Sequence, residues 1–455
     1  MPAKKNKQGH YGAQPSCLRR PERPGLEARE KTMYAKLAIA LFSGALFSAS
    51  MALGQPSAAP APAAFGQLPG LPSPVVAPDG KITFNLYAPQ ATSVSLDGDY
   101  PLGTGYNPSK EPRPLVKNEK GVWSITVGPL KSDIYSYYFI VNGVHTLDPR
   151  NPIITRDGVR YANWVTEPGE VASRYQFNEA PHGDVSAVWY PSPTLKLTRR
   201  ATVYTPPGYA KGSQRYPVLY LIHGGGGDEE AWRDMGRAPE IFDNLMAAGK
   251  MTPMIVVMPN GNEWEQASPN DISAQGNPGH LTAGPELPES VVHDLAPFID
   301  QTYRTKADRN DRAIAGLSRG GAQTLLASLN HLDQFSWVGV FSGGLPLLPG
   351  VLIHIPMPAD AASRRGPDIG NSIDPAKFKA LFPRLGPDVN SKLHLFYLTI
   401  GNDDGLVESW QAARKVFDDA GVKYTWVERP GYGHEWAFWR LALADFGSRL
   451  FKPAK

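Results

Sequence analysis

Ser318 lies in a sequence that is typical of an activated serine. The segment AGLSRGG, residues 315–321, follows an apolar run and precedes a stretch with helical periodicity. A serine at such a strand-to-helix turn projects its hydroxyl, and Gly316 and Gly320 are needed because side chains would clash there. The alternative is an incidental turn. The sequence predicts Ser318 as a nucleophile. The helical periodicity rests on Ala322, Leu325, Leu326 and Leu329.

A serine hydroxyl is a weak nucleophile at neutral pH, so it needs a base and a carboxylate that orients the base. Two loops supply them after predicted strands, GNDDG at 401–405 and PGYGHEW at 430–436. Because open α/β sheets build their sites at the carboxyl ends of strands, both loops are expected near Ser318. His434 is predicted as the base. The other histidines fit worse, because they lie in predicted helix or strand or in an irregular loop: His293, His331, His394 and His280.

The two adjacent acids of the first loop leave a choice for the orienting carboxylate. Position relative to Gly401 favours Asp404, and Asp403 is the alternative. The acid that does not contact the imidazole is expected to cap the following helix or to be solvated.

Four glycines at 224–227 follow the apolar run that ends at His223. Acyl transfer needs two backbone N–H groups that face the oxyanion of the tetrahedral intermediate, and glycines allow such close approach. The donors are predicted to be the N–H groups of Gly225 and Arg319. His223 is expected to brace the loop, with proton transfer as the alternative. A phosphate loop is disfavoured because no Lys-Ser/Thr pair follows the glycines.

Short apolar runs alternate with stretches of helical length from about residue 185. Several runs are continuously apolar, as expected for strands that helices cover on both faces. The pattern predicts a doubly wound α/β domain at 185–453. The predicted strands include RATVYTP, YPVLYLIH, PMIVVMPN, RAIAGLS, KLHLFYLTIG and VKYTWVE. One predicted helix places Leu406, Trp410, Ala413 and Phe417 on one face and stops near Gly421.

Residues 75–165 show a different pattern, with period-two runs separated by turn residues. This predicts an antiparallel immunoglobulin-like β-sandwich. Trp123, Tyr135 and Tyr137 are either sandwich core or a sugar-stacking platform, since alternation alone buries about half of such residues. The Pro- and Ala-rich residues 55–74 are predicted to be an extended linker.

Composition and the amino-terminal segment narrow the class of protein. The 455 residues are 42% hydrophobic and 20% charged, which excludes a disordered or fibrous chain.

Residues 33–54 are predicted to be a secretory signal peptide within a leader of 1–54, with Met33 as the true start. The alternative is a membrane anchor. Removal of the leader changes the net charge from +3 to −3, so basicity does not indicate nucleic-acid binding. The single cysteine, Cys17, excludes an intrachain disulfide and a thiolate metal site.

Residues 189–451 resemble carbohydrate esterase family 1 and the esterase D group of α/β-hydrolases. The resemblance rests on VYTPPGY, YPVLYLIHGGGGDEEAW, IVVMPNGN, DRAIAGLSRGGAQTLLASL, GNDDGLV and GYGHEW, in that order. The preceding GVWSITVGPLKSDIYSYYFIVNGVHTLDPRNP resembles E-set modules related to carbohydrate-binding module family 48. The resemblance implies a triad of Ser318, Asp404 and His434, with oxyanion donors at Gly225 and Arg319. At Arg319 the family commonly has Met, and a cation there is expected to favour an anionic or oxygen-rich acyl group.

The resemblance implies a secreted or periplasmic serine esterase, with feruloyl ester hydrolysis on arabinoxylan as the favoured activity. The alternatives are a ferric-siderophore esterase, an acetyl-xylan esterase and a non-catalytic carbohydrate-binding protein. No metal or organic cofactor, nucleic-acid partner or stable membrane anchor is expected, and the oligomeric state is left open. The Pro-rich segment 345–383 is expected to be a lid or pocket wall, or else a surface loop. Candidate substrate contacts are Trp264, Trp410 and Trp436.

Overall fold

The computed structural model describes residues 70–99, 112–158, 160–265, 283–356 and 372–452. The predicted signal peptide and most of the predicted linker therefore lie outside the described residues. In the part of the chain that is described, no helix is long and apolar enough to cross a bilayer.

Two antiparallel sheets form the amino-terminal β-sandwich. Their strand orders are β1-β2-β6-β5 and β4-β3-β7-β10-β9, with β8 paired to β7. The alternating burial of β2 shows why these residues form a sandwich, since every second side chain faces the core between the sheets. The strands are β1 (Val75–Val76), β2 (Ile82–Tyr87), β3 (Val94–Gly98), β4 (Arg113–Pro114), β5 (Val116–Lys117), β6 (Val122–Val127), β7 (Asp133–Val141), β8 (Val144–Thr146), β9 (Ile154–Asp157) and β10 (Arg160–Glu167).

The three aromatic residues predicted to be either sandwich core or a sugar-stacking platform belong to the core. Trp123, Tyr135 and Tyr137 are all buried within the hydrophobic cluster between the two sheets. Tyr137 packs against Phe84 and donates a hydrogen bond to Asp148. These three side chains therefore do not form a surface for sugar stacking.

An eight-stranded sheet forms the centre of the α/β domain. Its order is β11-β12-β14-β13-β15-β16-β19-β20, in which β11, β12 and β14 pair antiparallel and the remaining pairs are parallel. Both faces are covered by hydrophobic clusters, which explains the continuously apolar strands. The strands are β11 (Asp184–Ser192), β12 (Leu197–Thr205), β13 (Val218–Ile222), β14 (Ile255–Pro259), β15 (Arg312–Leu317), β16 (Trp337–Phe341), β19 (Leu395–Gly401) and β20 (Thr425–Arg429).

Helices cover the sheet on both faces, with α2, α3 and α10 on one and α4 to α9 on the other. A helical stretch of π geometry, Val291–Leu295, joins α4 to α5. In the described part of segment 345–383, β17 (Leu352–Ile353) and β18 (Ser372–Ile373) pair antiparallel. The helices are α1 (Glu170–Ser173), α2 (Ala231–Asp234), α3 (Ala238–Ala247), α4 (Glu286–Ser290), α5 (Ala296–Thr302), α6 (Ser318–Asn330), α7 (Pro375–Ala380), α8 (Val389–Lys392), α9 (Val407–Asp419) and α10 (Trp436–Arg449).

The predicted α/β fold is confirmed, and so are the six strands named from the sequence. The predicted apolar helix face is that of α9, and Gly421 just after it has a φ of +69°. β16 was not among the predicted strands; it is a five-residue strand with Gly339 at its centre. This glycine is needed, since a Cβ there would lie 2.8 Å from the ring of Phe446.

The sandwich docks on the α/β domain through buried charges. Arg440 of α10 donates to the Asp133 carboxylate at 2.9 Å and to the carbonyl of Ile134 at 3.0 Å. Arg156 of β9 forms ion pairs with Asp228 and Glu230. Because an isolated charge in these buried positions would be costly, the pairs fix how the two parts meet.

Candidate active site

The turn from β15 into α6 holds Ser318 in a strained conformation. Ser318 has a φ of +49°, which is uncommon for a residue with a side chain and typical of a nucleophile elbow. A Cβ at Gly316 would lie 2.3 Å from the carbonyl oxygen of Gly320, and a Cβ at Gly320 would lie 2.3 Å from that of His223. The two glycines are therefore required by close backbone approach, as the sequence predicted.

Ser318, His434 and Asp404 form one hydrogen-bonded chain. His434 Nε2 is 2.9 Å from Ser318 Oγ, and His434 Nδ1 is 2.9 Å from Asp404 Oδ2. The side chains of His434 and Asp404 are fully buried, and Trp439 packs edge-to-face on the imidazole at 4.9 Å. The backbone N–H of Leu406 donates to Asp404 Oδ1 at 2.9 Å and fixes the carboxylate. This geometry can accept a proton from the serine hydroxyl and stabilise the resulting imidazolium.

Of the two adjacent acids, Asp404 is the one whose carboxylate hydrogen-bonds to His434 at 2.9 Å. Asp403 is partly exposed, and its backbone N–H donates to the carbonyl of Tyr432 at 2.9 Å. That bond ties the acid loop to the loop that carries the histidine.

The glycine loop after β13 lies against the serine. A Cβ at Gly224 would lie 3.1 Å from Ser318 Cβ, and Gly225 lines the pocket at the serine. His223 is 2.7 Å from the carbonyl of Gly224 through Nδ1 and accepts the N–H of Gly261 at 2.6 Å through Nε2. Burial, with the nearby Arg319 cation, lowers the pKa of His223 to about 4. His223 is therefore a neutral brace that joins the glycine loop to the loop after β14.

The side chain of Arg319 is held by the loop after β14. Its guanidinium donates to Asn262 and lies 5.2 Å from the centre of the Trp264 ring. Arg319 is 1% exposed and is not among the residues that line the pocket at Ser318. Its backbone N–H belongs to the first turn of α6, where N–H groups favour an anion. These contacts argue against a cation beside the reacting carbonyl, and the backbone donor stays a prediction.

The pocket at Ser318 contains a residue of the sandwich. Asp157, the last residue of β9, lines it with residues of the α/β domain. Asp157 Oδ2 lies 3.4 Å from Trp436 Nε1, across 279 positions of sequence. Burial raises the pKa of the Asp157 carboxyl. The other lining residues are Gly224, Gly225, Leu317, Ser318, Trp436 and Trp439.

The three predicted substrate tryptophans have different surroundings. Trp436 lines the pocket, whereas Trp264 packs on Arg319 beside it. Trp410 is a core residue that donates to the carbonyl of Gly343 at 3.0 Å and packs on Trp426, so its predicted substrate contact is wrong. The physical reason is visible in the sequence, since Trp410 lies on the apolar face of its helix.

Sequence reasoning missed Asp157, Trp439 and the polar network behind the glycine loop. Trp439 had a signal, because it lies one helical turn after Trp436. The network had none: Arg199 of β12 donates to the carbonyls of Asn260 and Asn262, at 2.6 and 2.7 Å. Such contacts depend on which strands neighbour each other in the sheet.

Two family models match the chain. The model described as "Putative esterase" matches residues 192–449, and the model for carbohydrate-binding module 48 (isoamylase N-terminal domain) matches residues 73–154. A similar relative is the endo-1,4-beta-xylanase/feruloyl esterase of Xylanibacter ruminicola, 32% identical over 390 residues. The match covers 84% of this chain and 46% of that relative, so the chain spans about half of its length.

Further similarities concern shorter or more distant matches. Esterase Rv1288 of Mycobacterium tuberculosis is 33% identical over 159 residues, or 33% of this chain and 31% of the relative. The structure of the enterobactin esterase FES from Shigella flexneri is 17% identical, with a TM-score of 0.57 over 81% of this chain and 92% of that one. At that identity the likeness concerns the fold alone. Because the esterase model covers more than half of the sequence, the chain belongs to this esterase family, with a carbohydrate-binding-module-48 domain before the α/β-hydrolase domain.

Proposed function

We propose that the protein is a serine carboxylic-ester hydrolase in which Ser318 is the nucleophile, His434 the base and Asp404 the orienting acid. The observation that carries this proposal is the pair of 2.9 Å contacts that join the three side chains beside a strained serine. A binding protein without catalysis has no need for this strained and buried arrangement.

The proposed reaction has two halves. Ser318 Oγ attacks the ester carbonyl carbon while its proton passes to His434 Nε2, and the N–H groups of Gly225 and Arg319 stabilise the oxyanion. The carbon–oxygen bond to the alcohol then breaks, and His434 returns the proton to that alcohol. Water attacks the acyl-enzyme with His434 again as base, which releases the carboxylic acid and restores the serine.

We propose a hydroxycinnamoyl ester on arabinoxylan as the substrate. Trp436 and Trp439 border the small pocket at Ser318, and each is 1% exposed, so the acyl group is inferred from a similar relative rather than from this pocket. The relative that matches 84% of the chain is named as a xylanase and feruloyl esterase. Action on a cell-wall polysaccharide fits the predicted signal peptide at 33–54 and the domain division predicted from the sequence, 75–165 and 185–453.

A release assay tests both levels of the proposal. Purified protein is incubated with methyl ferulate, acetylated xylan and a ferric catecholate lactone, and the released acid is measured for wild type and Ser318→Ala. We expect the highest kcat/KM on methyl ferulate and none of this activity in Ser318→Ala. A preference for one of the other esters would support the assignment as a hydrolase but contradict the proposed hydroxycinnamoyl substrate. Equal activity of the variant would overturn the serine mechanism.

A further inference from the structure

Glu289, His293 and His331 converge on one point of the surface, away from the pocket. Glu289 and His293 lie four positions apart on the helical stretch from α4 to α5, and His331 caps the carboxyl end of α6. His293 Nε2 is 3.1 Å from one carboxylate oxygen of Glu289, and His331 Nε2 is 2.9 Å from the other. Among the residues that the structure describes, these three form the one cluster of potential metal ligands.

We propose that this cluster binds a divalent transition-metal ion of the class that prefers imidazole and carboxylate ligands, such as Zn²⁺. All three ligand atoms lie within 4.8 Å of one another. Zinc ligands at about 2.0–2.1 Å in a tetrahedron lie about 3.3 Å apart, so small rotations complete the geometry. Two imidazoles and one carboxylate are a donor set that Zn²⁺, Ni²⁺ and Cu²⁺ favour.

The surroundings agree with a bound cation. The side chain of His293 is 59% exposed, which gives an ion access and leaves the ring free to rotate. His331 lies at the carboxyl end of α6, where the helix dipole favours positive charge. The two imidazole rings meet edge-to-face at 5.7 Å, so both nitrogens approach the same carboxylate from different directions.

A bound ion is expected to change the stability of the fold rather than the rate of turnover, because the site is remote from Ser318. Helix α6 begins at Ser318 and has 13 residues, so His331 lies about 20 Å from the serine. A metal bound to all three residues would join the α4–α5 stretch to the far end of the nucleophile helix. This inference is independent of the proposed ester substrate, and its readouts do not use turnover.

Calorimetric titration of the full chain with Zn²⁺ tests the proposal. We expect wild type to bind one ion per chain at this site. The Kd should rise about 100-fold or more in His293→Ala and His331→Ala, since loss of even an outer-shell partner lowers metal affinity about 10–100-fold. His394→Asn is the matched control, because His394 is an exposed histidine outside the cluster. Zn²⁺ should also raise the melting temperature of wild type and His394→Asn but not that of the two alanine variants.

Two outcomes would overturn the metal site. One is the absence of saturable Zn²⁺ binding by wild type, which would leave a hydrogen-bonded surface cluster. The other is an equal Kd for wild type and His331→Ala, which would place the ion elsewhere on the chain. Because His293 is largely exposed, His293→Ala should fold normally, and its melting curve without metal provides the check.

Discussion

The elbow at Ser318 and the end of β9 at Asp157 border the same pocket but are positioned in different ways. The elbow is fixed locally, by two glycines and by the transition from β15 into α6. Asp157 reaches the pocket only because the sandwich docks on the α/β domain through Arg156 and Arg440. Local sequence can therefore specify reactive groups, whereas docking of a second domain adds a pocket wall whose residues the local pattern does not reveal.

Docking also changes how the sandwich is understood. Its core aromatics are buried between its own sheets, while the turn after β9 approaches the glycine loop. A Cβ at Gly158 would lie 2.0 Å from the carbonyl oxygen of Gly226, so this turn is as closely packed as the elbow itself. The sandwich therefore contributes a residue to the pocket, whatever its affinity for polysaccharide.

Removal of the nucleophile should give the largest effect. Ser318→Ala is expected to lower kcat on methyl ferulate by on the order of 10⁶, because only the reacting hydroxyl is lost. Ser328→Ala is the matched control, since Ser328 is a buried serine further along α6 that donates to the carbonyl of Thr324. Steady-state kinetics give the result, and a loss of less than tenfold in Ser318→Ala would contradict the assignment of the elbow.

The adjacent acids provide the second test of local positioning. Asp404→Asn is expected to lower kcat by about 10⁴, because the Asp404 carboxylate contacts His434 and fixes its tautomer. Asp403→Asn should stay much closer to wild type, since it keeps the backbone N–H that donates to the carbonyl of Tyr432. A larger loss of kcat in Asp403→Asn than in Asp404→Asn would contradict Asp404 as the acid that orients His434.

These local features are also the part that the sequence predicted well. The serine turn, the face of α9 and the positions of the parallel strands along the chain follow from glycine positions and apolar periodicity. The same periodicity placed Trp410 in the core, and treating it as a substrate contact overlooked that pattern. Asp157 could not be predicted, because β9 looks like any short strand and its partner Trp436 is 279 positions away.

Protonation of His223, the residue that braces the glycine loop, is expected to lower the stability of the protein in acid. Burial lowers the pKa of His223 to about 4, so the folded protein binds fewer protons here than the unfolded chain once the pH falls below about 6.5. The contribution of His223 to stability is thus complete above pH 6.5 and declines toward pH 4, by about 2 kcal/mol at pH 5. Denaturant unfolding at pH 7 and pH 5 measures this change.

A variant isolates the effect of His223 from other buried groups. Burial raises the pKa values of Asp99 and Glu229 to about 7, and these acids stabilise the fold as the pH falls. They titrate equally in wild type and His223→Asn, so the difference between the two proteins reports the histidine. An identical change in the free energy of unfolding from pH 7 to pH 5 would argue against a buried neutral His223.

Asp157 tests whether docking matters for turnover. Asp157→Ala is expected to lower kcat/KM on methyl ferulate by about tenfold, because the pocket loses a wall and Trp436 loses its acceptor. Asp79→Ala is the control, since Asp79 is an exposed acid of the same sandwich that pairs with Lys81. Deleting the whole sandwich is less informative, because it would leave Arg440 buried without Asp133. Unchanged kinetics would favour a sandwich that only tethers the enzyme to polymer.

Arg319 should show the smallest effect on turnover, because its two functions are separable. The proposed oxyanion donor is the backbone N–H, which Arg319→Met keeps, while the guanidinium is engaged by Asn262 and Trp264 outside the pocket. We therefore expect kcat/KM on methyl ferulate to stay within about threefold of wild type, with a loss of stability of about 1–3 kcal/mol from the buried amide left behind.

The decisive measurement for Arg319 is the ratio of kcat/KM values for an anionic and a neutral ester. A cation at the reacting carbonyl would favour an anionic ester over a neutral one of the same shape, and its removal would lower that preference. Since the guanidinium is held by the loop after β14, the ratio of kcat/KM for methyl hydrogen succinate to that for methyl 4-methylpentanoate should be the same in wild type and Arg319→Met. Arg199→Met serves as the control, because Arg199 braces the same loop through the carbonyls of Asn260 and Asn262. If the ratio falls about tenfold in Arg319→Met alone, the side chain reaches the acyl group during turnover, and the elbow would then set charge preference as well as reactivity.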